Sequence, residues 1–237
     1  MNIINRCIRF KFIRNCFSNI FIFIPLHYLK NPQELVVFNR PKKIIIYTGR
    51  IKVNGGRIFI DMREIMEILG DDYELHIFPG SFVIPLEKST VVCSAKNANH
   101  LVLLRDTIFK NSKNIIIHFP YEHDDKYKYL YHADCGIDFS DVRPKPTKSL
   151  AGHAKILEYC EMGLPIVCED NINNINLIRQ GKNGIILPYL ASNLEYANAI
   201  KRIINDEKID REYCRNITVE KENWDCKAKE LLDQIKN

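Results

Sequence analysis

No Cys-x-x-Cys pair occurs among the eight cysteines of this chain, which stand at positions 7, 16, 93, 135, 160, 168, 214 and 226. That spacing excludes the common zinc and thiol-redox motifs. Nor does a Gly-x-Gly-x-x-Gly follow the first predicted central strand, Ile44–Thr48, which argues against a nicotinamide-dependent dehydrogenase. The strongest candidate for a membrane-crossing run, Asn15–Leu29, falls short of the ~18 residues such a helix needs, and it is interrupted by Asn19, Pro25 and His27. Acidic residues are almost missing from the first fifty positions, where nine Lys/Arg stand beside Glu34 alone. That segment carries +8 and the remainder −3, within a total of +5. Such a split describes a basic N-terminal segment and not the evenly basic surface of a nucleic-acid-binding protein.

What is present suffices for one core. At 237 residues and 46% apolar, the chain can bury a single well-formed domain with little left for a second. The polar, proline-marked stretch Arg40-Pro-Lys-Lys divides a basic and apolar segment, 1–40, from a domain over 41–237. Within the first segment, Arg6, Arg9, Lys11 and Arg14 precede the apolar Phe17–Ile24, the layout of a signal peptide or anchor. A buried strand or linker, and a segment lying on a membrane surface, are the other readings. The residues that follow are bulky and offer no small-residue cleavage site. Cys160 and Cys168 fall at predicted core positions, where a free cysteine acts as a small hydrophobe. Reduced thiols point to a cytoplasmic chain, with membrane association through the N-terminal segment as an option.

The chain is organised around Ser149–Cys168. A small-residue loop, Ser149–Gly152, leads into a helical run over His153–Met162, whose Ile156, Leu157 and Cys160 form a predicted buried stripe. Gly163 stands where a helix C-cap needs positive φ, Pro165 stops the helix resuming, and Ile166–Cys168 reads as a short buried strand. Loop, helix, turn and strand make one unit of an α/β sheet. Lys155 and Glu158, three apart, are predicted to share a helix face away from the apolar stripe. A carboxylate there suits two hydroxyl hydrogen bonds, as from a ribose, and the helix N-terminus before it suits a phosphate.

The run Lys155-Ile-Leu-Glu158-Tyr-x-x-x-Gly163-x-Pro165-Ile-Val167 resembles the donor-site signature of the GT-B glycosyltransferases, family 4 in particular. The resemblance implies an α/β fold: a single Rossmann-like domain with a mostly parallel sheet flanked by helices, equivalent to the C-terminal half of a GT-B enzyme. It extends over 41–237, through the Gln180–Gly184 turn to a closing helix near Trp224 that packs back on the domain. It implies that Glu158 holds the donor's ribose, and that Ser149, Leu150, Ala151 and Gly152 face the diphosphate beside Lys155. Where the family carries a further Glu eight residues before the ribose residue, this chain has Leu150.

Gly49-Arg50, after the apolar strand, matches the family's pair in which the arginine neutralises the diphosphate, so Arg50 takes the catalytic role by resemblance. The family's lysine about five residues on is replaced by Gly55, which leaves Lys52 or Arg57 to supply the charge. Gly80, at the end of the next strand, suits close backbone approach to the nucleotide. Tyr121, with Phe119, lies in the loop that receives the base in the family. Arg143, Lys145 and Lys148 add positive charge just before the phosphate-facing loop. Asp124, Asp125, Asp134, Asp138 and Asp141 invite a metal reading, but helix-start and strand-start positions make capping the simpler one. The resemblance likewise implies no metal and no cofactor.

Two functions follow. One is a retaining glycosyltransferase, or its donor-binding part, moving a sugar from a UDP- or GDP-sugar to an acceptor hydroxyl. The other is a non-catalytic nucleotide-sugar-binding module or relic, completed by a partner chain that supplies the missing N-terminal domain.

Overall fold

The computed structural model of the chain describes residues 38, 41–49, 55–86, 89–94, 96–118, 125–139, 154–170, 177–205 and 209–221, with single positions between 226 and 235. The basic N-terminal segment and Trp224 lie outside them.

Strand β1 (Lys43–Gly49) is buried from Ile44 to Thr48, on both faces. A continuous apolar run of this kind fits only the middle of a parallel sheet covered by helices on both sides. It pairs in parallel with β2 (Tyr73–Pro79) along its whole length. An antiparallel hairpin follows, β3 (Ser81–Leu86) and β4 (Ser89–Ser94), standing apart from the main sheet. Strands β5 (Ile115–Ile117), β6 (Cys135–Asp138), β7 (Ile166–Glu169) and β8 (Gly184–Leu187) complete a six-stranded sheet in the order β5-β2-β1-β6-β7-β8, every pair parallel. The chain works outward from β1 to one edge, returns to the other side of β1 at β6, and works outward again. The seam between β1 and β6 is therefore the topological switch point, beyond whose carboxyl ends an open α/β sheet binds its ligands.

Side-chain alternation divides the core in two. Ile45, Tyr47, Leu75, Ile77, Ile137 and Val167 lie with helices α1 (Gly55–Leu69), α2 (Ala98–Thr107) and α5 (Asn193–Asn205). Ile44, Ile46, Phe78, Ile166 and Cys168 lie with α3 (Asp125–His132) and α4 (Ala154–Glu161). The hairpin contributes Phe82, Ile84 and Cys93 to the first of these cores.

Helix α4 sits closer to the sheet than its three-residue apolar stripe predicts. Ile156 and Cys160 are fully buried, Leu157 only partly, and Tyr159 is the large side chain driven inward. Its ring lies flat on β6 at Gly136, where a Cβ would stand 2.6 Å from it. Gly163 ends the helix at φ +65°, as its C-cap position predicts. A side chain there would also meet the Arg211 carbonyl of α6 (Arg211–Lys221) at 2.6 Å. Arg211 in turn donates to the carbonyls of Tyr131 and Ala133 at 2.7 and 2.8 Å, closing the end of α3 with a cation where the helix dipole is negative.

Candidate functional site

The carboxyl end of β1 is held by two neighbours. Gly49 has φ +92°, a conformation that a side chain resists, and its carbonyl accepts from Gly80 N–H at 2.8 Å, tying the ends of β1 and β2 together. On the other side, Tyr159 of α4 reaches across the seam. Its hydroxyl accepts from Thr48 N–H at 2.9 Å and lies 3.4 Å from the Thr48 hydroxyl. Burial raises the Tyr159 phenol above its ordinary range, so it stays a neutral strut.

Lys155, in the first turn of α4, points into the same seam. Its Nζ stands 3.1 Å from Asp138 Oδ1 at the end of β6, and 3.8 Å from the centre of the Tyr47 ring. The first contact is an ion pair by distance and lacks hydrogen-bond alignment; the second is a cation–π contact. The lysine's Cε comes within 3.8 Å of where a Gly49 Cβ would be. Burial, the largest single effect, lowers the pKa of the Lys155 ammonium, but Asp138 together with the Tyr47 and Tyr159 phenols outweighs it and the net shift is upward. A permanent positive charge, paired with the Asp138 carboxylate, thus lies at the switch point.

Glu158, one turn further along α4, does not share Lys155's surroundings. Both side chains are largely buried, and they turn to different partners. Glu158 Oε1 accepts from Lys126 Nζ of α3 at 2.7 Å, with the two side chains 9% and 10% exposed. The open polar face expected from the spacing is therefore closed, because α3 packs beside α4 and brings a buried lysine with it. Three residues on, Glu161 keeps one buried carboxylate oxygen without a hydrogen-bond partner among the described residues. Its pKa rises to about 8, first through burial and then through the nearby Glu158 carboxylate.

A second polar chain lies near the β5 edge. Glu74 Oε2 is 3.2 Å from His76 Nε2, and His76 Nδ1 is 2.7 Å from His118 Nε2, just beyond β5. Burial, and then the neighbouring His76, lower the His118 pKa to about 3, so this imidazole is neutral near pH 7. Its ring stacks on Phe78 with centroids 4.1 Å apart.

Of the residues singled out from sequence, Gly49, Gly80 and Lys155 fall at the carboxyl ends of β1 and β2 and the first turn of α4, while Glu158 lies one turn on and turns to Lys126 of α3. Arg50, Lys52, Tyr121, Ser149, Leu150, Ala151 and Gly152 lie outside the described residues, so their contacts are not part of this geometry. Sequence reading missed Lys126, Tyr47 and Tyr159, and considered Asp138 only as a metal candidate. Among the described residues no three His, Cys, Asp or Glu side chains gather as a metal site requires. Asp138 pairs with Lys155, and Asp134 accepts from Ile44 N–H at 2.7 Å, fastening the start of β6 to β1. Among the described residues no helix is long and apolar enough to cross a membrane.

No family model and no curated protein matches the chain. Solved structures do. The C-terminal domain of a glycosyl transferase group 1 family protein (LpcC) from Francisella tularensis is 15% identical over 77% of this chain and 87% of that one, with a TM-score of 0.51. Sucrose-phosphate synthase from Thermosynechococcus elongatus is 14% identical over 87% of this chain and 48% of its own length, with a TM-score of 0.61. Anabaena Alr3699/HepE, solved with UDP-glucose, is 15% identical over 92% of this chain and 55% of its own, with a TM-score of 0.58. At such identities the likeness is one of fold: a single α/β domain with the architecture of C-terminal GT-B Rossmann-like domains. The chain spans about half the length of the latter two proteins.

Proposed function

We propose that this chain is the donor-binding part of a family 4-like GT-B glycosyltransferase, which holds a UDP- or GDP-sugar for transfer to an acceptor hydroxyl with retention of configuration. The observation that carries the reading is Lys155, held by Asp138 and Tyr47 beside the Gly49 end of β1 at the switch point of the sheet, with Glu158 one turn further along the same helix. In this reading Lys155, together with Arg50 and the small-residue loop 149–152, neutralises the diphosphate as its bond to the sugar breaks. Charge developing on a leaving group is best stabilised by fixed, desolvated cations, and Lys155 is already fixed by Asp138 and Tyr47. Glu158 accepts from the ribose hydroxyls. Two of the fold neighbours, solved with UDP-glucose and with UDP and GlcNAc, support a uridine nucleotide as the first ligand to try.

The test is calorimetric titration of the chain with UDP, GDP and NAD. UDP or GDP is expected to bind and NAD not to. Glu158→Ala should weaken the nucleotide at least tenfold, about 1.4 kcal/mol. Equal binding of all three, or none, ends the proposal.

Leu150 at the family's Glu position favours a second reading. In it the domain binds the donor but turns over no sugar unless a partner chain supplies the acceptor side. Nucleotide binding without sugar release, restored to turnover by such a partner, distinguishes the two.

A further inference from the structure

Helices α3 and α4 lie side by side on one face of the sheet, and their first two turns bring together two charged side chains that are 32 residues apart. Lys126 and Glu158 are each more than nine-tenths buried as whole residues. The bond between them uses one carboxylate oxygen only. Among the described residues Glu158 Oε2 makes no hydrogen bond, and the side chain keeps 9% of its surface exposed. A glutamate has three side-chain torsions, and freezing a freely rotating glutamate on ligand binding costs conformational entropy. A charge-assisted bond already made to Oε1 removes most of that loss beforehand, because it fixes the plane of the carboxylate.

We propose that Lys126 is a positioning residue of the donor site: it clamps Oε1 of Glu158 so that Oε2 is presented, already oriented, to the vicinal hydroxyls of a nucleoside. This inference rests on the nucleotide-sugar reading and adds to it a residue that acts only through Glu158. Lys126 therefore matters for ligands that carry a ribose and not for the diphosphate alone.

The experiment compares UDP with inorganic pyrophosphate, titrated into the full chain and its variants. Lys126→Met is expected to raise the Kd for UDP at least tenfold while changing that for pyrophosphate less than twofold. Lys126→Arg, which can still donate to Oε1, should recover most of the UDP affinity. Because Lys126→Met leaves a buried carboxylate without its cation, the charge-free pair Lys126→Met with Glu158→Gln serves as the folded background. There UDP should bind as in Glu158→Gln alone, since the clamp has nothing left to hold. Unchanged UDP affinity in Lys126→Met, an equal loss for both ligands, or a further loss in the double variant overturns the assignment. A wild-type chain that binds pyrophosphate but gains nothing from the nucleoside of UDP refutes the nucleotide-sugar reading itself, and this inference with it.

Discussion

Replacing Glu161 with Gln should leave stability almost unchanged at pH 5 and raise it at pH 9. In the folded chain the Glu161 pKa stands at about 8, pushed up by burial and then by Glu158. In the unfolded chain it returns to the ordinary value near 4.3. Between those values the folded state holds a proton that the unfolded state has released, so stability falls as pH rises. The favourable contribution is complete below the unfolded pKa, drains away through the window, and is gone above about pH 8. At 1.36 kcal/mol per pKa unit the whole shift corresponds to about 5 kcal/mol. Glu161 is only partly buried, and solvent screening reduces this to about 1–2 kcal/mol. Gln keeps the shape and has no proton to lose. Urea unfolding of wild type and Glu161→Gln at pH 5, 7 and 9 measures the gap directly. A gap that is flat across this range, or a variant less stable than wild type at pH 9, would refute the reasoning.

Asp138→Asn should destabilise the fold by about 3–5 kcal/mol, because it leaves the buried Lys155 ammonium without its counter-charge. Adding Lys155→Met should recover a large part in thermal unfolding, and no recovery would mean that Asp138 acts through other contacts. Gly163→Ala should cost about 1–3 kcal/mol for the positive φ alone. It also pushes a methyl against the Arg211 carbonyl, so hydrogen exchange in α6 should rise along with the loss of stability.

The fold was readable because its signals are local. A run of five buried residues in β1, four of them apolar, glycine at the C-cap of α4 and proline two residues later each act over a few positions. Each therefore leaves its mark in the order of residues. The hairpin was not readable. Val83–Leu86 and Thr90–Cys93 have strand propensity, but nothing in their order says that they pair with each other outside the main sheet.

The candidate site was half readable for the same physical reason. Lys155 and Glu158 stand out by type and spacing, and spacing places both on one helix; what each one touches is fixed by elements 17 to 108 residues away in the chain, Asp138 and Tyr47 for the first and Lys126 for the second. A charged residue on a helix reads from sequence as solvated, since burying it alone is costly. That expectation fails wherever the fold delivers a partner, and a site is where a fold does so. Lys126 looks in sequence like one more polar residue at the start of α3, beside acids that suggest a cap. Only the packing of α3 against α4 makes it the counter-charge of a buried carboxylate. The three oppositely charged or aromatic partners around Lys155 and Glu158 thus belong to a level of organisation that residue order encodes only through the topology: the seam between β1 and β6 brings Tyr47 and Asp138 to Lys155, and the packing of α3 on α4 brings Lys126 to Glu158.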